Sequence, residues 1–163
     1  MSSFLLQENG FFLLMENSGN IILEGATSLK AVVSGPVDVL LEQQDDGTFD
    51  ISLDADGDIA KTVSLDTAIV LSLLTDKRAS ASEVAQPEKR RGWWGNLLGQ
   101  VPGFEMGSKL WLLEQARLNQ EAANKAMQHI QDCLQWLIDD GYVKKISVSA
   151  ELVADGIRAS VRF

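Results

Sequence analysis

The stretch RGWWGNLLGQVPGFEMGSKLWLLEQARLNQEAANKAMQHIQDCLQWLIDDG, residues 91–141, is the most regularly patterned part of this chain. It contains all four Trp residues (93, 94, 111 and 136), the only His (His129) and the only Cys (Cys133). From Gly107 onward, Leu110, Trp111, Leu113, Leu118, Ala123, Met127, Ile130, Leu134, Leu137 and Ile138 recur at helical spacing. Gln120, Glu121, Asn124, Lys125, Gln128, Gln131, Asp132, Gln135 and Asp139 fall on the opposite face of the second part. Such a division of apolar and polar residues marks a helix that lays one side on a core. Gly141 suits the left-handed residue that closes a helix. The pattern predicts a short helix near 108–118 and a long one near 120–140.

Upstream, LDTAIVLSLLTDKR (65–78) predicts a further helix, apolar nearly all round and so buried on more than one side. Ser64 stands ready to cap it, and Asp66 suits the positive end of its dipole. Between these helices, ASASEVAQPEKRR (79–91) reads as a linker that ends in a basic cluster. Trp93 and Trp94 follow at once, bracketed by Gly92 and Gly95. Two adjacent indoles cannot both enter one helix core, so one plugs the domain and the other covers a loop or a neighbour.

The two ends of the chain read as β structure. FFLLME (11–16) and IILEG (21–25) flank Asn17-Ser18-Gly19-Asn20, and VDVLLE (37–42) and TFDISL (48–53) flank Asp45-Asp46-Gly47. Both are hairpin signals, the second with period-two alternation. VKKISVSAEL (143–152) and GIRASVRF (156–163) predict a C-terminal hairpin, with Ile146, Val148 and Ala150 on one face and Val161 and Phe163 on the matching one. A strand at the very end of a chain offers an edge that templates another chain's strand.

Composition bounds the function. With 163 residues, 45% hydrophobic and 23% charged, the chain has the profile of a soluble globular protein with one main domain. No apolar run approaches the roughly 20 residues that span a bilayer, and no basic start precedes an apolar core, so neither a membrane span nor a secretion signal is expected. One Cys leaves no internal disulfide. Fourteen basic residues against 23 acidic ones, net −9, argue against nucleic-acid binding.

Candidate chemistry is sparse. Asp54, Asp56 and Asp58 alternate like a calcium loop, but an EF-hand needs a sharp turn at the sixth position and a bidentate carboxylate at the twelfth, where Ile59 and Leu65 stand. His129 and Cys133 lack the further ligands of a zinc site, and a helix interior lacks the donors a nucleophile pair needs. Gly92, Gly95, Gly99, Gly103 and Gly107 do not end in Lys-Ser/Thr, so they form no phosphate loop. Glu105, Glu114, Asp139 and Asp140 are carboxylates of the type a glycosidase uses, a residue type too common to be informative. The reading is of a protein without enzyme activity, cofactor or metal.

Taken together, Asp56-Gly57-Asp58, LDTAIVLSLLTDKRA (65–79), RRGWWGN (90–96), GSKLWLLEQAR (107–117) and LQWLIDDGYV (134–143) resemble the baseplate protein family of Mu-like contractile-tailed phages. That family is related to the lysozyme-like wedge proteins that start the tail sheath. The resemblance covers roughly 54–163 and leaves 1–53 as a small N-terminal β-hairpin module. It implies an α+β fold, with a three-helix core and a C-terminal antiparallel β-hairpin. It implies a virion structural protein of the tail baseplate, met in the host cytoplasm during assembly. Its partners would be other wedge proteins, the sheath protein and hub or tube proteins, with no nucleic acid and no membrane. Arg90, Arg91, Trp93, Trp94, Asp139 and Asp140 are the wedge-docking candidates, and Ile157, Ala159, Val161 and Phe163 the sheath-pairing strand. Related wedge proteins carry Glu-Pro-Arg before their final strands, where this chain has Asp139-Asp140-Gly141-Tyr142. The rival readings are a tail muramidase and a soluble assembly adaptor; a tailocin or other contractile injection system would use the same sheath mechanism.

Overall fold

The computed structural model describes residues 10–16, 21–24, 37–44, 48–98, 105–114, 116–154 and 156–163. The fold is α+β. Strand β1 (Gly10–Glu16) pairs antiparallel with β2 (Ile21–Glu24), as the N-terminal hairpin signal predicts. Its turn at 17–20 lies outside the described residues. The second hairpin is shorter than expected. Only β4 (Leu41–Gln43) and β5 (Phe49–Ile51) pair across it, and the turn at 45–47 lies outside the described residues. The front of the same run, β3 (Asp38–Val39), pairs instead with β6 (Lys61–Thr62). The switch occurs at Leu40, whose N–H donates to the Ala60 carbonyl at 2.9 Å while its carbonyl accepts from Ser52 at 3.5 Å.

Residues 54–58 form a turn that consumes its own carboxylate. Asp54 Oδ1 accepts the backbone N–H groups of Asp56 and Asp58, both at 3.0 Å, and Gly57 takes φ +80°.

Helix α1 (Asp66–Leu74) buries Thr67, Ile69, Val70, Ser72 and Leu73 but leaves Leu71 and Leu74 partly exposed. Its N-cap is Leu65, not Ser64; the Ser64 hydroxyl donates to Asp66 Oδ2 at 2.9 Å. Helix α2 (Gln120–Leu134) follows the predicted pattern. Asn119 Oδ1 caps it by accepting the Ala122 N–H at 2.8 Å. Ala122, Ala123, Ala126, Ile130 and Leu134 are its buried stripe, and one further turn, Trp136–Asp139, buries Leu137.

The expected helix over 108–118 is not formed, so among the described residues the three-helix core reduces to two helices. Only a 3₁₀ turn, Leu110–Leu113, appears there. The cause is tertiary. Ser108 N–H donates to the Thr75 carbonyl and Lys77 N–H to the Ser108 carbonyl, each at 2.8 Å, so the chain is held extended where the helix would start. Trp111 Nε1–H then reaches the Lys77 carbonyl at 2.9 Å. The tight turn still buries Leu110, Trp111 and Leu113 together.

The C-terminal hairpin is β7 (Ser147–Val153) and β8 (Gly156–Arg162), in the register Val148↔Val161, Ala150↔Ala159 and Leu152↔Ile157. All seven residues of β8 also pair with β1, giving a four-stranded antiparallel sheet in the order β2-β1-β8-β7. Helix α2 packs against β7 and β8, and α1 packs on α2. Ile69, Leu73, Leu110, Ile130, Leu134, Leu137, Ile157 and Val161, all fully buried, form the centre of the core. At about 25 cal/mol per Å² of apolar surface, each such side chain contributes roughly 1.5–3 kcal/mol.

Candidate partner-binding surface

The segment after the linker is built to hold a fixed shape at the surface. Arg91 takes φ +46° and Gly92 φ +113°, a reversal that turns the chain outward. A Cβ on Gly92 would lie 2.8 Å from Arg78 Cβ, so the reversal is packed directly against the segment that follows α1. The Arg91 guanidinium forms a two-pronged bond to Glu114, Nη1 to Oε1 and Nη2 to Oε2, each 2.7 Å long. It also lies 3.5 Å from Asp76 Oδ2 and 4.9 Å from the centre of the Trp111 ring. The Glu114 carboxylate raises the Arg91 pKa above its ordinary value. Burial raises that of Asp76 and outweighs the nearby guanidinium.

Beyond this anchor, Trp93 N–H donates to the Asp76 carbonyl at 2.8 Å. Its ring lies over Gly95, where a Cβ would fall 2.3 Å from ring atoms. A 3₁₀ turn, Trp94–Leu98, buries none of its residues. Asn96 fixes its far side: Nδ2 donates to the Met106 carbonyl at 2.9 Å and Oδ1 accepts the Met106 N–H at 3.0 Å. Trp94 is 67% exposed, Leu97 79% and Leu98 69%. An anchored turn that presents three large apolar side chains to solvent is what a contact surface requires.

The predicted wedge residues therefore separate. Trp94 faces solvent. Arg91 is committed to Glu114, Asp76 and Trp111, and Trp93 to Gly95. Arg90 uses Nε to donate to the Ala79 carbonyl. Asp139 and Asp140 lie elsewhere, on the exposed end of the turn after α2, where Asp139 Oδ1 accepts from Gln135 Nε2 at 2.9 Å. Sequence reasoning missed Leu97 and Leu98; their place just after the Trp pair, outside any helical period, was the available signal.

The sheath-pairing candidates need a correction. β8 is not an edge, because β1 fills one side of it and β7 the other. Ile157, Ala159 and Val161 point into the core, and Phe163 is half-buried against it. The sequence shows the hairpin but not the strand arriving from about 140 residues upstream.

A groove beside α2 holds the other titratable groups, including Lys109, Glu83, His129 and Cys133. Lys109 Nζ bridges to Glu83 at 2.8 and 2.9 Å, and Ser80 donates to Glu83 through both its N–H and its hydroxyl at 2.7 Å. Lys109 first, then Ser80, hold the Glu83 carboxyl at about 2. Burial, with Lys109 nearby, lowers the His129 pKa, and burial pushes the Cys133 thiol up to about 12. At neutral pH that thiol stays protonated, the opposite of an activated nucleophile. Of the carboxylates with glycosidase potential, Glu114 holds Arg91 and Glu105 lies 3.7 Å from Lys77.

A fixed, exposed apolar turn is the kind of surface that suits contact with another macromolecule. By comparison of sequences, the chain belongs to the family described as phage protein GP46, which matches residues 65–163, from the edge of α1 through the apolar turn to β8. The resemblance to Mu-like phage baseplate proteins is borne out. The chain is 41% identical over 87 residues to the Mu-like prophage FluMu protein gp46 of Haemophilus influenzae, covering 53% of this chain and 57% of that one. It is 36% identical over 95 residues to baseplate protein gp46 of Escherichia phage Mu, covering 57% of this chain and 63% of that one. The matched regions thus span about three-fifths of each relative's length.

Proposed function

We propose that this protein is a structural, non-catalytic component of the baseplate of a Mu-like contractile phage tail. There it docks on neighbouring wedge proteins around the hub and initiates the sheath. One observation carries the reading: the family match takes in the anchored apolar turn, and a relative of this chain is named a baseplate protein. A fixed turn with exposed Trp and Leu side chains suits permanent assembly, where burial in a neighbour supplies the stabilisation that solvent denies. Asp139 and Asp140 form a second, acidic docking point for a basic neighbour. For sheath initiation the C-terminal hairpin is the surface, and a sheath strand reaches Ile157–Phe163 by taking the place of β1.

Purified tails should contain the chain, detected by mass spectrometry, and negative-stain images with antibody label should place it at the baseplate end. A chain found only in assembly intermediates would instead identify an adaptor.

A further inference from the structure

We infer that the docking epitope of this protein is the ridge Trp94–Leu97–Leu98 rimmed by Arg78, Lys89 and Arg90, and that its partner is a protein presenting an apolar groove bordered by carboxylates. The inference rests on the baseplate reading and specifies the contact within it.

The ridge follows from backbone geometry. In a 3₁₀ turn, residues three apart eclipse, so Trp94 and Leu97 stack on one line, with Leu98 beside them. Such a line fits a groove better than a flat face. The Asn96–Met106 bonds and the Arg91–Glu114 pair fix the turn from both sides before any partner arrives, which lowers the ordering cost of binding.

The rim is charged against the trend of the whole chain. Arg78 and Lys89 are exposed, and neither forms an ion pair among the described residues. Arg78 lies against Gly92, and Arg90 is tied to Ala79 beside it, so these two border the start of the turn, with Lys89 next to Arg90 in sequence. Arg91 contributes none of this charge outward, because Glu114 and Asp76 neutralise it. A local basic rim on a chain of net charge −9 repels extended anionic surfaces such as DNA or an anionic bilayer at long range. At contact distance it attracts individual carboxylates. Charge complementarity therefore selects an acidic-rimmed protein groove.

The test places a photo-reactive benzoylphenylalanine at position 97 of the full chain, assembles tails, irradiates them and sequences the cross-linked peptides. The expected product joins position 97 to an apolar segment flanked by Asp or Glu in a different tail protein. In parallel, Trp94→Ser/Leu97→Ser, whose altered side chains are exposed, should keep the circular dichroism spectrum and melting temperature yet fall about tenfold or more in tail occupancy, as loss of a central anchor does. Arg78→Gln/Lys89→Gln should make the remaining occupancy salt-insensitive, since it removes the screened attraction without adding a repulsion. A cross-link to lipid, to DNA or to a second copy of this chain overturns the inference. So does a tail that contains the chain without any cross-link, and that result leaves the baseplate reading intact. Tails lacking the chain altogether overturn both.

Discussion

At the scale of single residues, the titratable groups that looked most chemical hold the structure together. Cys133 sits against α2's own backbone, with Sγ 3.3 Å from the Ile130 carbonyl, and burial lifts its pKa to about 12. Iodoacetamide should therefore label it at pH 8 at least about tenfold more slowly in the native protein than in urea, since the thiolate is the reactive form; equal rates would mean an accessible, ordinary thiol. Glu83 makes the complementary prediction. Its carboxyl is held at about 2, below the ordinary carboxylate value of 4.5. A depressed folded-state pKa stabilises the protein above the unfolded value and loses that contribution as pH falls through the folded one. Glu83→Gln should thus cost about 1 kcal/mol at pH 7, a modest figure because the pair is partly solvent-screened. The two proteins should converge in stability between about pH 4.5 and 2, as chemical denaturation at a series of pH values will show. His129 carries no such pair and titrates below its usual range because it is half-buried.

At the scale of elements, legibility followed locality. Helix α2 was readable because its apolar stripe and its polar face lie within one run of sequence; its Asn119 cap emerged only with the structure. The matching faces of Val148 and Val161 were readable because a hairpin brings its own two strands together, and the structure sets them directly opposite. Residues 108–118 were misread because their conformation is set from outside, by Thr75 and Lys77, and helical spacing of Leu110 and Leu113 survives equally in a 3₁₀ turn. The division of 37–42 between two partner strands was hidden for the same reason. Gly107 marks the external control. It takes φ +112°, and a Cβ there would lie 2.6 Å from the Thr75 carbonyl oxygen. Gly107→Ala should cost about 2 kcal/mol or more, combining backbone strain with loss of that pairing. Leu134→Ala, at a fully buried site, should cost about 2–5 kcal/mol, while Leu97→Ala in the exposed turn should stay within about 0.5 kcal/mol. Thermal or urea melts of the three variants separate core from contact surface; a large loss for Leu97→Ala would make the turn a structural element rather than a presented one.

At the scale of the whole molecule, the arrangement that matters is the meeting of the two chain ends. The family match begins at residue 65 and includes β7 and β8 but not β1, so within the matched region alone β8 has one unpaired side. In this chain β1 supplies the missing partner, from Gly10↔Arg162 to Glu16↔Gly156. If a sheath subunit pairs with β8, β1 has to leave, and the contact that completes the free protein must be exchanged during assembly. Truncating the chain after Gly156 tests this poorly, since it removes Ile157 and Val161 from the core and unfolds the protein before assembly is reached. A reversible lock is the better probe. Leu13 and Ala159 are direct partners across β1 and β8, and the double variant Leu13→Cys/Ala159→Cys can be joined by oxidation and released by a reductant. Baseplates carrying the oxidised chain should form and incorporate it normally but fail to extend sheath, and adding reductant to the same particles should restore extension, scored by electron microscopy. Full sheaths on oxidised baseplates would show that β1 never leaves, and would move sheath contact to the open side of β7, the edge strand of the described sheet at its C-terminal hairpin end.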